Sequence, residues 1–452
     1  MGKSASASRS TAAIVLGALL PLFSGCASYG QIANRPQTAA DAARASYGLD
    51  RAPDAQGYEQ ITLSLAFSGG GARAAALSYG VMLELRDTRL AGNTGPKRLL
   101  DEVDAISAVS GGSFIAAYYG LHGEATFPGF EQAFLRRDIG GDLAHRLLSP
   151  LRWFSRQTRS DEAARLFDHY IFHGARYADL QARPGPLVII NATDLEGGIR
   201  FAFLQEYFDQ LCSDLLSYPL SHAVAASSAV PVLFQPVVLE NYSGCTPRAT
   251  FDEAAVAASP QLRQEAEGWR AYANKQSRRY VHLADGGLTD NLGLRAMLEA
   301  VDSAGGPRKF LQRIGRAPSP ELVILSVDAS TDASSGIGVS ARSPSLRRMI
   351  DATTDVQLHR YNTATIEQVQ QRMQGWTKEL NGAGHTVRAR LITVALSDVA
   401  DPTLRARLNA IPTDFTLPAD DVDALIAAGR ALLRANPEYQ ALLRDIGATS
   451  SH

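Results

Sequence analysis

Three short elements of this chain carry the residue types that acyl-transfer chemistry uses. They are Ser68-Gly69-Gly70-Gly71-Ala72-Arg73, Ala108-Val109-Ser110-Gly111-Gly112 and Asp285-Gly286-Gly287. The first supplies backbone N–H donors for an anion, the second a serine on a sharp turn, and the third a carboxylate that can take the serine proton. Each element has other uses in proteins, but the three in this order predict a serine acyl-transfer enzyme.

Ser110 is the candidate nucleophile. A serine hydroxyl attacks an ester only when its proton has an acceptor and the developing oxyanion has donors. Ser110 lies between an apolar run and a helix-like run, and its small neighbours, Gly111 among them, allow a sharp turn that exposes the side chain. In the G-x-S-x-G elbow a glycine stands where this chain has Ala108. By itself the fragment also fits an ordinary turn.

The residues Gly69, Gly70 and Gly71, called here the glycine loop, follow another apolar run. Consecutive glycines can present their N–H groups to an anion. Phosphate binding is one interpretation, but this loop is followed neither by the acidic partner of a G-x-G-x-x-G pattern nor by a G-K-[ST] triplet. An oxyanion hole is the second interpretation and a tight turn the third. Arg73 either braces this loop or contacts a lipid head-group phosphate.

Asp285 ends an apolar run and is followed by two glycines that leave its carboxylate unshielded. It can therefore accept the Ser110 proton directly, although an aspartate before glycine also commonly caps a turn. Asp290 and Asp194 are the reserve candidates for this role.

The nine histidines and the other metal-ligating residues show no comparable pattern. His282 precedes Asp285 by three residues, so strand alternation places the two on opposite faces. This weakens the case for a Ser-His-Asp triad. No His, Cys, Asp or Glu cluster has metal-ligand spacing, so we predict neither a metal nor another cofactor.

These motifs sit in an α/β pattern. The order strand, turn, helix occurs twice, which is typical of a parallel α/β sheet. We predict strands at residues 61–67, 103–109, 186–192, 280–284, 322–327 and 387–396, with an antiparallel strand at 199–203, and helices at 74–86, 114–119, 220–229, 357–376 and 420–443. The stretch 329–346 is predicted as a mobile loop.

The N-terminus is predicted to be a targeting segment. Lys3 and Arg9 precede an apolar stretch too short to span a bilayer comfortably, and small residues stand directly before Cys26. This resembles the lipobox of bacterial lipoproteins, with Phe23 where that pattern prefers leucine; an ordinary signal peptide cut near Ala27 is the alternative. We therefore predict a signal peptide at 1–25, a tether at 26–58 and a catalytic domain at 59–452, its core motifs at 60–300, with a C-terminal helical extension.

The composition of the chain argues against nucleic acid as a binding partner. The chain has 452 residues, is 45% hydrophobic and has a formal net charge of −2, which gives no electrostatic basis for binding nucleic acid. Membrane contact would have to come from the lipid anchor and an apolar patch. In a compartment that permits disulfides, Cys212 and Cys245 can form a bridge or remain as two thiols.

The whole set of motifs resembles the patatin-like phospholipase family. It comprises G-G-G-x-R, the Ser110 elbow, Ala226-Ser227-Ser228-Ala229-Val230-Pro231 with Phe234 and Pro236 beyond it, Asp285-Gly286-Gly287, and Asn191-Ala192-Thr193-Asp194. The resemblance implies a three-layer α/β/α fold and a dyad without histidine, Ser110 as nucleophile and Asp285 as general base. It also implies an oxyanion hole from the backbone of the glycine loop. Ala74 and Ala108 stand where the family often has glycine.

This resemblance, together with the predicted anchor at Cys26, predicts a lipid-anchored acyl hydrolase that cleaves ester bonds of phospholipids or related lipids. An esterase or thioesterase for small soluble acyl groups uses the same machinery, and a silent lipid-binding envelope lipoprotein is the alternative from another class. Transfer of the acyl group to an acceptor other than water stays open. Ala27 after Cys26 favours the outer membrane of the bacterial cell envelope.

Overall fold

The computed structural model describes residues 30–51, 60–90, 97–148, 157–245, 251–331 and 337–450. The predicted signal peptide, the predicted lipidation site Cys26 and part of the loop predicted at 329–346 lie outside these ranges. The strands are β1 (Ile61–Phe67), β2 (Thr88–Leu90), β3 (Lys97–Arg98), β4 (Val103–Val109), β5 (Leu187–Asp194), β6 (Ile199–Ala202), β7 (Val237–Glu240), β8 (Tyr280–Asp285), β9 (Glu321–Asp328), β10 (Arg388–Ala395) and β11 (Ala448–Ser450).

Helices separate most of these strands, with short 3₁₀ and π turns between some of them. They are α1 (Ala39–Ala42), α2 (Gly71–Asp87), α3 (Gly111–His122), α4 (Thr126–Phe130), α5 (Ile139–Leu148), α6 (Arg159–Phe167), α7 (Tyr177–Gln181), α8 (Gln205–Gln210), α9 (Leu220–Ser227), α10 (Glu253–Ala258), α11 (Pro260–Ala271), α12 (Gly287–Asp290), α13 (Arg295–Ser303), α14 (Pro307–Arg313), α15 (Leu346–Gly382), α16 (Pro402–Asn409), α17 (Ala419–Ala435) and α18 (Pro437–Asp445).

Eight of the described strands form one sheet in the order β10-β9-β1-β4-β5-β8-β7, with β6 paired to β5. The strands from β10 to β5 run parallel to one another. The pairings of β5 with β6, β5 with β8 and β7 with β8 are antiparallel. Parallel neighbours need crossover connections, and helices supply them here. The prediction of a mostly parallel α/β sheet is confirmed. A small second sheet joins β11, β2 and β3.

The strands β4 and β8 both end beside the same part of β5. Val109, the last residue of β4, pairs with Asn191, and Ala192 pairs with Asp285 at the end of β8. Because β5 continues past the end of β4, the antiparallel strand β8 meets β5 only in that extension. Val109 and Asp285 therefore pair with consecutive residues of β5, which brings Asp285 next to the turn that holds Ser110.

Helices cover both faces of the sheet. Successive residues of a strand point to opposite faces, so Leu65 and Phe67 of β1 enter the larger core with α2 and α3. Ala66 enters a second cluster with Leu298 of α13 and Val369 of α15. The chain therefore has the three-layer α/β/α arrangement that the motif resemblance implies.

The C-terminal third is part of this arrangement. Strands β9 and β10 extend the sheet, and α17 packs along α2. The fully buried Glu84 of α2 pairs with Arg434 at 2.7 Å and with Arg430 at 3.4 Å. The strands predicted at 322–327 and 387–396 are therefore confirmed, and they lie among the helices of the predicted C-terminal extension.

The helix predicted at 420–443 is two helices. Pro437 has no N–H to continue a helix, and α17 ends before it. Asn436 then caps α18, because its Oδ1 accepts the N–H groups of Glu438 and Tyr439. By contrast, the helix predicted at 357–376 is longer than expected, since α15 spans Leu346–Gly382.

The segment before β1 packs on the domain over its described part. Tyr47 is fully buried, and its hydroxyl accepts the N–H of Val188 at 2.9 Å. The Asn34 side chain pairs with the backbone of Glu240 at 2.9 and 3.0 Å. The prediction of a tether at 26–58 therefore does not hold for residues 30–51.

A disulfide joins Cys212 and Cys245 in the structure. No helix within the described ranges combines the length and the hydropathy needed to cross a bilayer. The described residues also contain no group of three or more His, Cys, Asp and Glu side chains arranged to hold a metal ion.

Candidate active site

Ser110 lies on a strained elbow between β4 and α3. Its backbone has φ 49° and ψ −121°, a conformation that residues other than glycine rarely adopt. The elbow is tightly packed, because a Cβ added to Gly111 would lie 2.0 Å from the carbonyl oxygen of Gly71. Only glycine fits at that position, and the two loops consequently meet at Ser110.

Side chains from α9 and β5 hold this elbow. The N–H of Ser110 donates to Oγ of Ser227 at 2.8 Å, and the Ser227 hydroxyl donates to the carbonyl of Asn191 at 2.6 Å. Ser113 also donates its hydroxyl to the Ser110 carbonyl. A strained turn persists only when its surroundings determine it, and these bonds do so. Sequence reasoning used Ser227 and Asn191 only as parts of family motifs and missed this role.

Asp285 ends β8 as a buried carboxylate beside this elbow. Its Oδ1 accepts the N–H of Gly287 at 2.8 Å, whereas Oδ2 has no hydrogen-bond partner among the described residues. Burial raises the pKa of Asp285 to about 6, and the Gly287 N–H and the nearby Ser110 hydroxyl oppose that shift. A carboxylate with this pKa is ionised at neutral pH and is more basic than an exposed one.

The N–H groups of the glycine loop differ in whether they already have a hydrogen-bond partner. Gly69 donates its N–H to the carbonyl of Asn291 at 2.9 Å, so that donor is not available to an oxyanion. The N–H groups of Gly70, Gly71 and Gly111 have no hydrogen-bond partner within the described ranges. The inclusion of Gly69 in an oxyanion hole formed by N–H groups was therefore wrong.

Two helix N-termini converge at Ser110. Helix α2 begins at Gly71 and α3 begins at Gly111, and the φ angles of Gly70 and Gly71 are 134° and 61°. The first turn of a helix has N–H groups without intrahelical partners and the positive end of the helix dipole. This arrangement can stabilise negative charge on an atom bound at Ser110.

Arg73 braces the glycine loop from within the protein. It is buried and donates to the carbonyls of Ala329 at 2.9 Å and Ile411 at 2.6 Å, and to Oγ1 of Thr413 at 3.0 Å. The alternative, contact with a head-group phosphate, does not fit these bonds. The N–H of Ala72 also donates to the carbonyl of Asp414 at 2.7 Å. Nothing in the sequence indicated that residues 411–414 support the site.

The reserve acids have other partners. Asp194 accepts hydrogen bonds from Arg278 and from the Tyr272 hydroxyl. Asp290 accepts the N–H of Arg295, and burial raises its pKa to about 6. The side chain of His282 is exposed, whereas that of Asp285 is buried. Of the carboxylates that the sequence singled out, the structure places Asp285 beside Ser110.

Three comparisons relate this chain to known proteins. Residues 65–298 match the family described as Patatin-like phospholipase. No curated protein gave a significant match. Two similar solved structures are human GIVD cytosolic phospholipase A2 and its complex with methyl γ-linolenyl fluorophosphonate. Each is 12% identical to this chain, and each alignment covers 92% of this chain. The alignment covers 68% of the first structure's chain with a TM-score of 0.43. It covers 65% of the second structure's chain with a TM-score of 0.41.

Proposed function

The chain belongs to the patatin-like phospholipase family, and we propose on that premise that it cleaves carboxylic ester bonds of phospholipids or related lipids through Ser110 and Asp285. The resemblance that the motifs indicate is confirmed by the family match. One observation carries the residue assignment: the buried Asp285 carboxylate, with Oδ2 unpartnered among the described residues, adjoins the strained Ser110 elbow.

The first half-reaction forms an acyl-enzyme. Ser110 Oγ attacks the ester carbonyl carbon while Asp285 takes the hydroxyl proton. The carbonyl oxygen becomes an oxyanion that the N–H groups of Gly70, Gly71 and Gly111 stabilise. The carbon–oxygen bond to the alcohol or lysolipid then breaks, and Asp285 returns its proton to that leaving oxygen.

The second half-reaction releases the fatty acid. Asp285 takes a proton from water, and the hydroxide attacks the acyl carbon on Ser110 Oγ. The same N–H groups stabilise the second oxyanion, and Ser110 leaves with the proton from Asp285. Because the acceptor of each proton is the same carboxylate, the mechanism requires no histidine.

The proposal includes a lipid anchor. The pattern before Cys26 and the Ala27 that follows it support acylation of Cys26 and a place on the outer membrane of the bacterial cell envelope. Two or more acyl chains are enough for stable anchoring. An anchored enzyme meets its lipid substrate at a high local concentration.

The test compares wild type with Ser110→Ala on two substrates, a long-chain phospholipid in vesicles and a short-chain ester in solution. We expect wild type to release fatty acid from the phospholipid and to react with an alkyl fluorophosphonate, with the added mass on the peptide that contains Ser110. Activity in Ser110→Ala would contradict the nucleophile assignment.

The same experiment separates the alternatives. Hydrolysis of the short-chain ester alone would favour a soluble-ester esterase or thioesterase. Binding of lipid without hydrolysis of either substrate, and without fluorophosphonate labelling, would favour a lipid-binding envelope lipoprotein.

A further inference from the structure

Four large apolar side chains are exposed on the two segments that adjoin Asp285, the loop after α9 and the helix α12, and we call them the apolar crown: Val230, Val232, Leu233 and Leu288. Their exposed fractions are 36%, 71%, 52% and 44%. The first three lie on the loop from α9 to β7, which contacts the site because the N–H of Asp285 donates to the carbonyl of Ala229 at 3.0 Å. Single exposed apolar residues are ordinary, but a cluster marks a contact surface.

The loop is held in a conformation that displays these side chains. Val232 has φ 74°, which is an outlier for a β-branched residue. Arg159 donates from Nη2 to the Val232 carbonyl at 2.9 Å, and the N–H of Phe234 donates to the Val230 carbonyl at 3.0 Å. Phe234 packs inward on Phe415, with ring centroids 6.2 Å apart. The loop therefore anchors its base in the core and presents Val232 outward.

The N-terminal part of the chain enters the domain beside the crown. A Cβ on Gly30 would lie 2.9 Å from Cγ2 of Val238, in the strand that follows the crown loop. The N–H of Gln31 donates to the carboxylate of Asp161 at 3.2 Å. Asp161 lies in the same first turn of α6 as Arg159, which contacts the crown loop. The first turn of α6 therefore contacts both the N-terminal segment, through Asp161, and the crown loop, through Arg159.

This placement limits the distance between the crown and the predicted anchor. Cys26 precedes Gly30 by four residues, and four residues can span at most about 14 Å. A membrane that holds an acylated Cys26 consequently lies within about 14 Å of Gly30, which contacts the strand that follows the crown loop.

We propose that the apolar crown docks on the membrane that holds the Cys26 anchor, so that the active site takes lipid from that same bilayer. The inference rests on the proposed function and adds an orientation to it. The near-neutral net charge of −2 offers little attraction to anionic head groups, which leaves apolar contact as the docking force.

The first test reads the orientation directly. Full-length lipidated protein with Val232→Cys is labelled with an environment-sensitive dye and placed in phosphatidylethanolamine and phosphatidylglycerol vesicles that contain doxyl-labelled lipid. Ala317→Cys is the matched control, because Ala317 is exposed just before β9, at the end of the parallel strands opposite to the end where Ser110 follows β4. Wild type, with Cys212 and Cys245 in a disulfide and Cys26 acylated, should remain unlabelled.

We expect a blue shift and at least threefold stronger quenching at position 232 than at position 317. Equal quenching at the two positions, or no quenching at 232, would overturn the proposal. A blue shift without vesicles, together with a doubled mass, would instead assign the crown to contact between two copies of the chain and would also overturn it.

The second test separates docking from catalysis. The double variant Val232→Asn/Leu233→Gln replaces two apolar side chains of the crown with polar ones. Asparagine tolerates the left-handed backbone at position 232. We expect at least a tenfold loss of hydrolysis on vesicles with unchanged hydrolysis of a short-chain ester in solution. Leu404→Gln, an exposed leucine on the helix after the edge strand β10, should leave both rates unchanged.

Failure of docking and failure of the proposed function give different results. Equal vesicle hydrolysis by the double variant and wild type would refute docking while leaving the hydrolase assignment intact. If wild type hydrolyses neither substrate, the proposed function fails, and the quenching experiment still decides whether the crown meets the membrane.

Discussion

The N–H of Gly69 donates to the carbonyl oxygen of Asn291 at 2.9 Å. This bond joins the glycine loop to the segment that follows the Asp285 turn. It therefore fixes the position of the proposed oxyanion hole relative to the proposed base. The side chain of Asn291 lies at the same place, because its Oδ1 would be 2.7 Å from a Cβ added to Gly69.

Gly69→Ala should therefore damage catalysis more than folding. The added methyl group must displace the Asn291 side chain and would lie 3.3 Å from Cβ of Ser110. We expect kcat to fall by about 10- to 100-fold, the size of effect that a small misplacement of reacting groups produces. Gly375→Ala is the control, since nothing lies within 4 Å of its Cβ position in α15. Equal kcat values for both variants and wild type would contradict the role of this contact.

The raised pKa of Asp285 predicts that kcat/KM falls at acidic pH. The proposed mechanism uses the ionised carboxylate, and burial raises the pKa of Asp285 to about 6. For an uncharged ester, kcat/KM should therefore rise with pH up to about 6 and then level. Asp285→Asn should lower kcat by about 10²–10⁴-fold, as expected for loss of a general base. An acidic limb that persists unchanged in residual Asp285→Asn activity would assign the titration to another group.

The same pKa predicts a pH-dependent change in stability. The folded-state pKa of Asp285 is above the ordinary value of 3.8, so the folded state binds this proton more tightly than the unfolded state. The free energy of unfolding consequently decreases as pH rises from about 4 to 6, and by the pKa difference the total is on the order of 3 kcal/mol. Asp285→Asn should thus be more stable than wild type at pH 8 but not at pH 4. Urea unfolding at the two pH values measures the difference.

Ser227 and Ser228 give a matched pair of variants. Ser227 Oγ accepts the Ser110 N–H, whereas Oγ of the buried Ser228 has no partner among the described residues. Ser227→Ala leaves a buried N–H unsatisfied, which costs about 1–3 kcal/mol, and should lower kcat at least about tenfold with little change in KM. Ser228→Ala should change neither stability nor kcat. Similar losses in both variants would indicate a packing effect of α9 instead of a positioning role for Ser227.

Local residue types made the individual elements of the site predictable, but they did not predict the hydrogen bonds that hold these elements together. The strand β1 and the turns at Ser110 and Asp285 depend on nearby apolar and small residues, which the sequence displays. The partners of Arg73 and Gly69 come from distant segments, and no local pattern selects them. Pro437 was a visible signal that the helix predicted at 420–443 must break. The burial of Tyr47 in the predicted tether had no local signal, because its partner Val188 is distant in the chain.

Arg434 tests whether the C-terminal third stabilises the catalytic part. Its guanidinium lies 2.7 Å from Glu84, whose carboxylate is fully buried in α2, the helix that begins at the glycine loop. Removal of one partner from a buried ion pair costs about 3–5 kcal/mol, and because Arg430 also contacts Glu84, we expect Arg434→Leu to lose about 2–3 kcal/mol. Arg270→Leu breaks the exposed pair with Glu253 and should change stability by less than about 1 kcal/mol. Urea unfolding measures both variants, and equal effects would show that α17 is not needed to hold α2.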